Sequence, residues 1–390
     1  MLAAILVICG STILTSCSSE DDPVTSPTDE VEAQLQRMTL REKVGQLFYV
    51  RPECLDTTIH FNLVSSVDVS SDDIREIKLQ AVNATMRGVN EKYPVGGVIL
   101  YAHNIEDEAQ LSAFISQIRT MNGSPLLCID EEGGRVARIG NNENFQVEKF
   151  ESMGAIGATG DPQNAYHCGN TIGTYLKKYG FDIDFAPVAD VNTNPENIVI
   201  GARAFSDDPK VAAPMVTNYL QGLEDAGVTG CIKHFPGHGD TKADTHFGYA
   251  QSLKTWEQMT GCEMITFKAG IAWGTQLIMT AHIATPNVTG SDIPATMSSV
   301  ILQDKLRGEL GYQNIIITDA MEMGAITKQY TNAEAAVGTL QAGADIVLGP
   351  QNFVEAFDAV VKAVEDGRLT EQRIDQSVRR VLKLKKQIGR

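Results

Sequence analysis

The 390-residue chain has room for one large α/β unit or two ordinary domains, and 43% hydrophobic residues supply a sizeable core. Global disorder is excluded on that ground. A formal net charge of −17, with no Lys/Arg patch to reverse it, also argues against a nucleic-acid partner.

In chain order, residues 1–16, MLAAILVICGSTILTS, are apolar but too short for a permanent membrane helix, and they read as a secretory signal peptide. Leu14-Thr15-Ser16-Cys17 resembles a bacterial lipobox, which makes Cys17 the expected lipidation site. No Lys or Arg precedes the apolar run, a departure from the usual signal. The acidic CSSEDD that follows is similar to the tag of surface lipoproteins in Bacteroides-like Gram-negative bacteria. The implied address is the cell envelope, periplasmic or on the outer-membrane surface, with membrane contact only through the lipid. Residues 17–35 read as the lipidated cysteine and a flexible acidic tether, and residues 36–390 as a single catalytic domain, expected to be a monomer. The remaining cysteines, Cys54, Cys128, Cys168, Cys231 and Cys262, are odd in number and form no CxxC pair, so buried single thiols are expected.

The globular part opens at Thr39-Leu40-Arg41-Glu42, a capping box before a helix. Eight short apolar runs follow: QLFYV (46–50), GGVILY (96–101), PLLCID (125–130), FDIDFAPV (181–188), TGCIKHF (229–235), QLIMTAH (276–282), NIIITDA (314–320) and ADIVLG (344–349). Their Val, Ile and Leu content without alternation suits strands buried on both faces. The stretches between them are long enough for crossover helices, and Ala333–Ala342 and Phe353–Val364 have helical spacing. A basic helix, Gln372–Gln387, follows the eighth run. The pattern predicts an α/β fold, a (β/α)8 TIM-type barrel, with an insertion between Arg51 and Tyr93 near its mouth.

Barrel chemistry sits at the C-terminal ends of the strands. The third run ends at Asp130 and leads into Glu131-Glu132-Gly133-Gly134-Arg135; the fourth leads to Asp190; the fifth, sixth and seventh end in Lys233-His234, His282 and Asp319. Asp319, delivered by Ile315-Ile316-Ile317-Thr318, is either a carboxylate nucleophile or the N-cap of the next helix. The stretch 233–246, KHFPGHGDTKADTH, holds three of the seven histidines. His234 and His238 are four apart, but Pro236 and Gly237 exclude a regular helix, so the zinc pattern is poor and no metal or cofactor is expected. No phosphate-binding loop is present. Asp244 and His246, two apart on an extended segment, can point the same way, and the carboxylate can then orient the imidazole for acid/base work. A solvated loop with incidental charges is the alternative.

These stretches resemble glycoside hydrolase family 3, in its bacterial β-N-acetylglucosaminidase branch. KHFPGHGDTKADTH, IDEEGGRVAR (129–138), FDIDFAPVADVNTNPENIVIGARAF (181–205) and IIITDAMEMGAI (315–326) match its motifs in order, with Ala204 where serine is usual. The resemblance implies Asp319 as nucleophile, His246 as acid/base and Asp244 as its partner. It implies Asp130, Arg138, Arg203, Lys233 and His234 as ligands of the N-acetylglucosamine ring, and a shaping role for His238 and Asp240. The implied activity is retaining, exo-acting hydrolysis of terminal β-GlcNAc, on peptidoglycan fragments or other glycans. A β-glucosidase, a xylosidase or a GlcNAc phosphorylase of the same family is the near alternative. A non-catalytic surface glycan-binding lipoprotein and a metallohydrolase are the readings from other classes. The glycines of the fifth-strand loop are expected to act as hinges.

Overall fold

The computed structural model describes residues 27–59, 78–241 and 250–390. Cys17 and the signal segment lie outside the described residues, as do Asp244 and His246. Every one of the eight apolar runs contains a strand: β1 Phe48–Val50, β2 Gly97–Leu100, β3 Leu126–Ile129, β4 Ile183–Asp184, β5 Thr229–Phe235, β6 Leu277–Thr280, β7 Ile315–Thr318 and β8 Val347–Leu348. They form one parallel sheet in the order β7-β6-β5-β4-β3-β2-β1-β8. A parallel bridge between Ile317 and Ile346 brings its two edges together, so the sheet curls into a (β/α)8 barrel.

Successive strand residues face opposite sides. Tyr49, Ile99, Leu126, Cys128, Cys231, Leu277, Met279, Ile315 and Ile317 pack with one another inside the barrel. Their neighbours Phe48, Val98, Leu127, Ile129, Ile232, Ile278 and Ile316 pack outward against the helices. This parity decides where each strand delivers its first polar residue. Counting on by two from Tyr49, Cys128, Cys231 and Ile317 puts Arg51, Asp130, Lys233 and Asp319 over the barrel lumen. Asp184, out of phase with Ile183, points away.

The predicted helices are present at Asn332–Ala342, Phe353–Glu365 and Glu371–Gln387. The capping box is formed as expected, with the Thr39 amide donating to Glu42 Oε2 at 2.7 Å and the Glu42 amide to Thr39 Oγ1 at 3.3 Å. One boundary differs. A helix spans Pro27–Arg37, overlapping the end of the stretch 17–35 read as tether, and buries Val31 and Leu35. Its Glu32 pairs with Arg379 and its Glu30 with Lys386, so the polar face that looked like a linker is neutralised by the basic C-terminal helix. At the same end of the barrel Asp345, fully buried, is ringed by Arg307, Arg380 and Arg373. A cleft of about 1060 Å³ also opens at this end, beside Gln46, Gly123 and Lys385, and no predicted site residue lines it.

Candidate active site

The upper rim of β3, β4 and β5 carries a continuous ionic network. Lys233, almost fully buried, donates to Asp130 Oδ1 at 2.7 Å and lies 2.6 Å from Glu132 Oε1. Arg203 grips the same Glu132 with two parallel bonds, Nε to Oε2 at 2.8 Å and Nη2 to Oε1 at 2.6 Å. Burial alone would raise the Glu132 carboxyl, but Lys233 and Arg203 outweigh it and hold the group well below the ordinary carboxylate range. The same two carboxylates lift Lys233 above its ordinary range against the opposing effect of burial. Both partners are therefore ionised near neutral pH, and one ammonium hydrogen of Lys233 remains beyond its two carboxylates.

Asp130 is also met by Arg138 Nη2 at 3.6 Å. The chain at Arg138 is held from beneath by Glu131, whose carboxylate accepts the amides of Arg138, Ile139 at 3.0 Å and Gly140 at 2.7 Å, and the Tyr175 hydroxyl at 2.8 Å. Arg138 Nε is buried and finds no acceptor among the described residues. An orphaned guanidinium donor at a barrel mouth is a group left for a ligand.

His234 sits beside Lys233 and faces the same mouth. The β5–β6 register slips between Ile232 and Phe235, and this irregularity lets two successive side chains serve one site. Asp190 receives His234 Nδ1 at 2.6 Å and the His234 amide at 3.2 Å on one oxygen, and the His238 amide at 2.6 Å on the other. Burial pushes the Asp190 carboxyl up, but His234 and the His238 amide prevail and lower it. On the other side of the ring, Arg203 Nη2 lies 3.4 Å from His234 Nε2. His238 itself turns to Thr241 Oγ1 at 2.7 Å. Among the described residues no three His, Cys, Asp or Glu side chains converge as a metal site.

Asp319 closes β7, half-buried, with its amide bound to Thr280 O at 3.0 Å. Its Oδ1 accepts the Ala320 amide at 2.8 Å. The N-cap alternative fails, because the helix that follows is Gly324–Thr327 with Met323 at its cap position. Burial would raise the Asp319 carboxyl, yet His234, His282 and the Ala320 amide lower it, which keeps it ionised at neutral pH. His282 is buttressing rather than reactive: it is buried between Thr296 Oγ1 at 2.9 Å and Ala320 O at 3.0 Å, and burial pushes its ring toward the neutral form.

The structure thus gathers Asp130, Arg138, Arg203, Lys233 and His234 into one network and sets Asp319 within its field. Asp244 and His246 belong to the segment 242–249, outside the described residues. Sequence reasoning missed Glu132 as the anion that organises Lys233 and Arg203. It also missed Arg51, which pairs with Glu322 at 2.8 Å, and Glu53, which binds His103 at 3.0 Å and Asn104 at 2.6 Å. Arg51 was readable, since it follows QLFYV at the same apolar-to-polar switch as Asp319 follows its run.

The glycines read as hinges sit at points of close packing. Gly237 has φ +119°, and a Cβ there would lie 2.6 Å from Glu263 Cγ. A Cβ on Gly239 would lie 1.9 Å from Val191 O.

The glycosyl hydrolase family 3 N terminal domain model matches residues 39–384. Beta-hexosaminidase A of Pseudoalteromonas piscicida is 35% identical over 323 residues, 75% of this chain and 54% of that protein. A beta-hexosaminidase of Stenotrophomonas maltophilia is 34% identical over 273 residues, 68% of this chain and 80% of that protein. The solved structure of a family 3 beta-N-acetylglucosaminidase from Paenibacillus sp. str. FPU-7 is similar with a TM-score of 0.77 and 36% identity, over 90% of this chain and 63% of that one. The chain therefore spans about half the length of the first relative and under two thirds of the solved one. A match over nearly the whole barrel, together with an acidic residue closing β7 above a Lys–Glu–Arg network, places this chain in glycosyl hydrolase family 3.

Proposed function

We propose that the protein is a retaining, exo-acting β-N-acetylglucosaminidase. The observation that carries the reading is Asp319: an ionised, half-buried carboxylate at the rim of the barrel, in the field of a fixed network of donors and acceptors. Relatives named beta-hexosaminidase support the choice of sugar.

In the first step Asp319 attacks the anomeric carbon and the glycosidic C–O bond breaks. His246, oriented by Asp244, gives its proton to the departing oxygen. In the second step water attacks the same carbon, His246 takes back a proton, and the Asp319 ester is released with configuration retained. An imidazole of ordinary pKa, about 6.5, can perform both transfers near neutral pH. Arg138 Nε, the free Lys233 hydrogen and Asp130 are the groups available to the ring hydroxyls. Cys17 is the proposed point of lipid attachment, giving an envelope-bound enzyme.

The test is hydrolysis of an aryl β-N-acetylglucosaminide followed by proton NMR. Release of β-GlcNAc as the first-formed anomer is expected, and release of the α-anomer would sink the double-displacement scheme. The same assay with inorganic phosphate separates hydrolysis from phosphorolysis, since only the latter yields GlcNAc-1-phosphate.

A further inference from the structure

One cluster at the mouth remains without a part in this chemistry. Lys254 reaches in three directions. Its ammonium pairs with Glu263, lies 3.3 Å from Asp240 Oδ1, and donates to Thr193 Oγ1 at 3.3 Å. The other Asp240 oxygen accepts the Ser252 hydroxyl at 3.1 Å. Glu263 opens the helix Glu263–Trp273, is fully buried, and packs against Gly237, just past β5.

These residues stand on the two ends of one segment. Asp240 lies on the stem that leaves β5, and Thr241 is the last described residue of that stem. Ser252 and Lys254 lie on the stem that returns at Ala250. Each stem is also tied to a neighbouring loop. Asn194 donates to Thr241 O at 3.2 Å and Asn197 to His238 O at 2.8 Å on the outgoing side. On the return side the Ser252 amide binds Ala284 O at 3.0 Å, and the Ala284 amide binds Ala250 O at 2.9 Å. Among the described residues, the Asp240–Ser252 and Asp240–Lys254 contacts are the ones that join the stems directly, and Glu263 fixes Lys254 to the barrel beneath them.

We infer that Asp240, Ser252, Lys254 and Glu263 form a positioning clasp that fixes where the acid/base-bearing segment leaves and rejoins the barrel, relative to Asp319. The inference rests on the reading of His246 as the acid/base. None of the four touches the reacting atoms. The clasp acts by setting the separation of the stems, which must be right to a fraction of an ångström for proton transfer to the leaving oxygen. Its loss should therefore fall on the step that needs the proton and spare the nucleophile. This assigns Asp240 a definite task, the junction of the two stems.

The test compares Lys254→Met, Ser252→Ala and His246→Ala with the unmodified chain on β-GlcNAc glycosides whose leaving groups range from a nitrophenol to an alkyl alcohol. Melting temperature reports the fold, and Ser252→Ala serves where Lys254→Met fails to fold. The expected result is a loss in kcat/KM of about tenfold or more for the alkyl glycoside against about threefold or less for the nitrophenyl one. Lys254→Arg, which keeps the charge, should recover part of the loss. Equal losses across the series, or none, while His246→Ala still shows leaving-group dependence, would overturn the clasp and leave the acid/base reading standing. If His246→Ala shows no such dependence, the acid/base reading fails and the clasp falls with it.

Discussion

At the scale of single residues, the site is a set of charges that only make sense together. Glu132 is the buried anion between Lys233 and Arg203, and removing its charge takes the carboxylate partner from Arg203 and leaves Lys233 with Asp130 alone. Glu132→Gln should destabilise the fold by about 3–5 kcal/mol, the usual cost of breaking a buried pair on one side, and urea unfolding measures it. Asp319→Asn should lower kcat by about 10⁴-fold or more on an aryl glycoside, since it removes the proposed nucleophile. Because Asp319 is held below the ordinary carboxylate range, it is charged throughout the neutral range. The fall in kcat/KM on the alkaline side should then belong to the proposed acid/base His246, and should disappear in His246→Ala on an activated substrate. Much of this site was legible. Asp130, Lys233 and Asp319 close their runs in phase with the barrel interior, so parity alone delivers them to the mouth. Glu132 was not legible, because it lies past the strand, where two-residue alternation no longer applies and its contacts with Arg203 and Lys233 reveal its place.

At the scale of elements, β5 and the loops around it show why glycine appears where it does. The outgoing stem runs so close to Val191 that a methyl at position 239 would overlap its carbonyl oxygen. Gly239→Ala should therefore cost about 1–3 kcal/mol and shift the stem, with the larger effect on glycosides of poor leaving groups. A sequence alone shows two glycines near a catalytic motif and suggests flexibility; the packing that forbids a side chain there is made by a residue 48 positions earlier. The helix Glu371–Gln387 is held by Asp345, which takes Arg307 at 2.6 Å, Arg380 at 2.9 Å and the Ser377 hydroxyl. These cations outweigh burial and depress the Asp345 carboxyl. Its contribution to stability is complete above the unfolded carboxylate pKa of about 4 and is lost as pH falls through the lower folded value. The stability gap between the unmodified chain and Asp345→Asn, about 3–5 kcal/mol at pH 7, should narrow on acidification below about pH 4 in denaturant titrations.

At the scale of the whole molecule, the eight apolar runs were sufficient to place eight strands, because a parallel sheet buried on both faces leaves a continuous hydrophobic signature. The N-terminal boundary was less legible. The segment 27–37 is polar on the face that meets the basic final helix, and its two buried residues, Val31 and Leu35, are too few to announce a helix. The family match covers residues 39–384, nearly the whole barrel, and Asp319 is the atom-level claim on which the proposed activity turns. The most direct measurement is peptide mapping by mass spectrometry after treatment with a slow-turnover fluorinated glycoside. A glycosyl adduct on the peptide containing Asp319, absent from Asp319→Asn, is the result expected; a catalytically active protein that accumulates no adduct, or carries it on another carboxylate, would contradict the account.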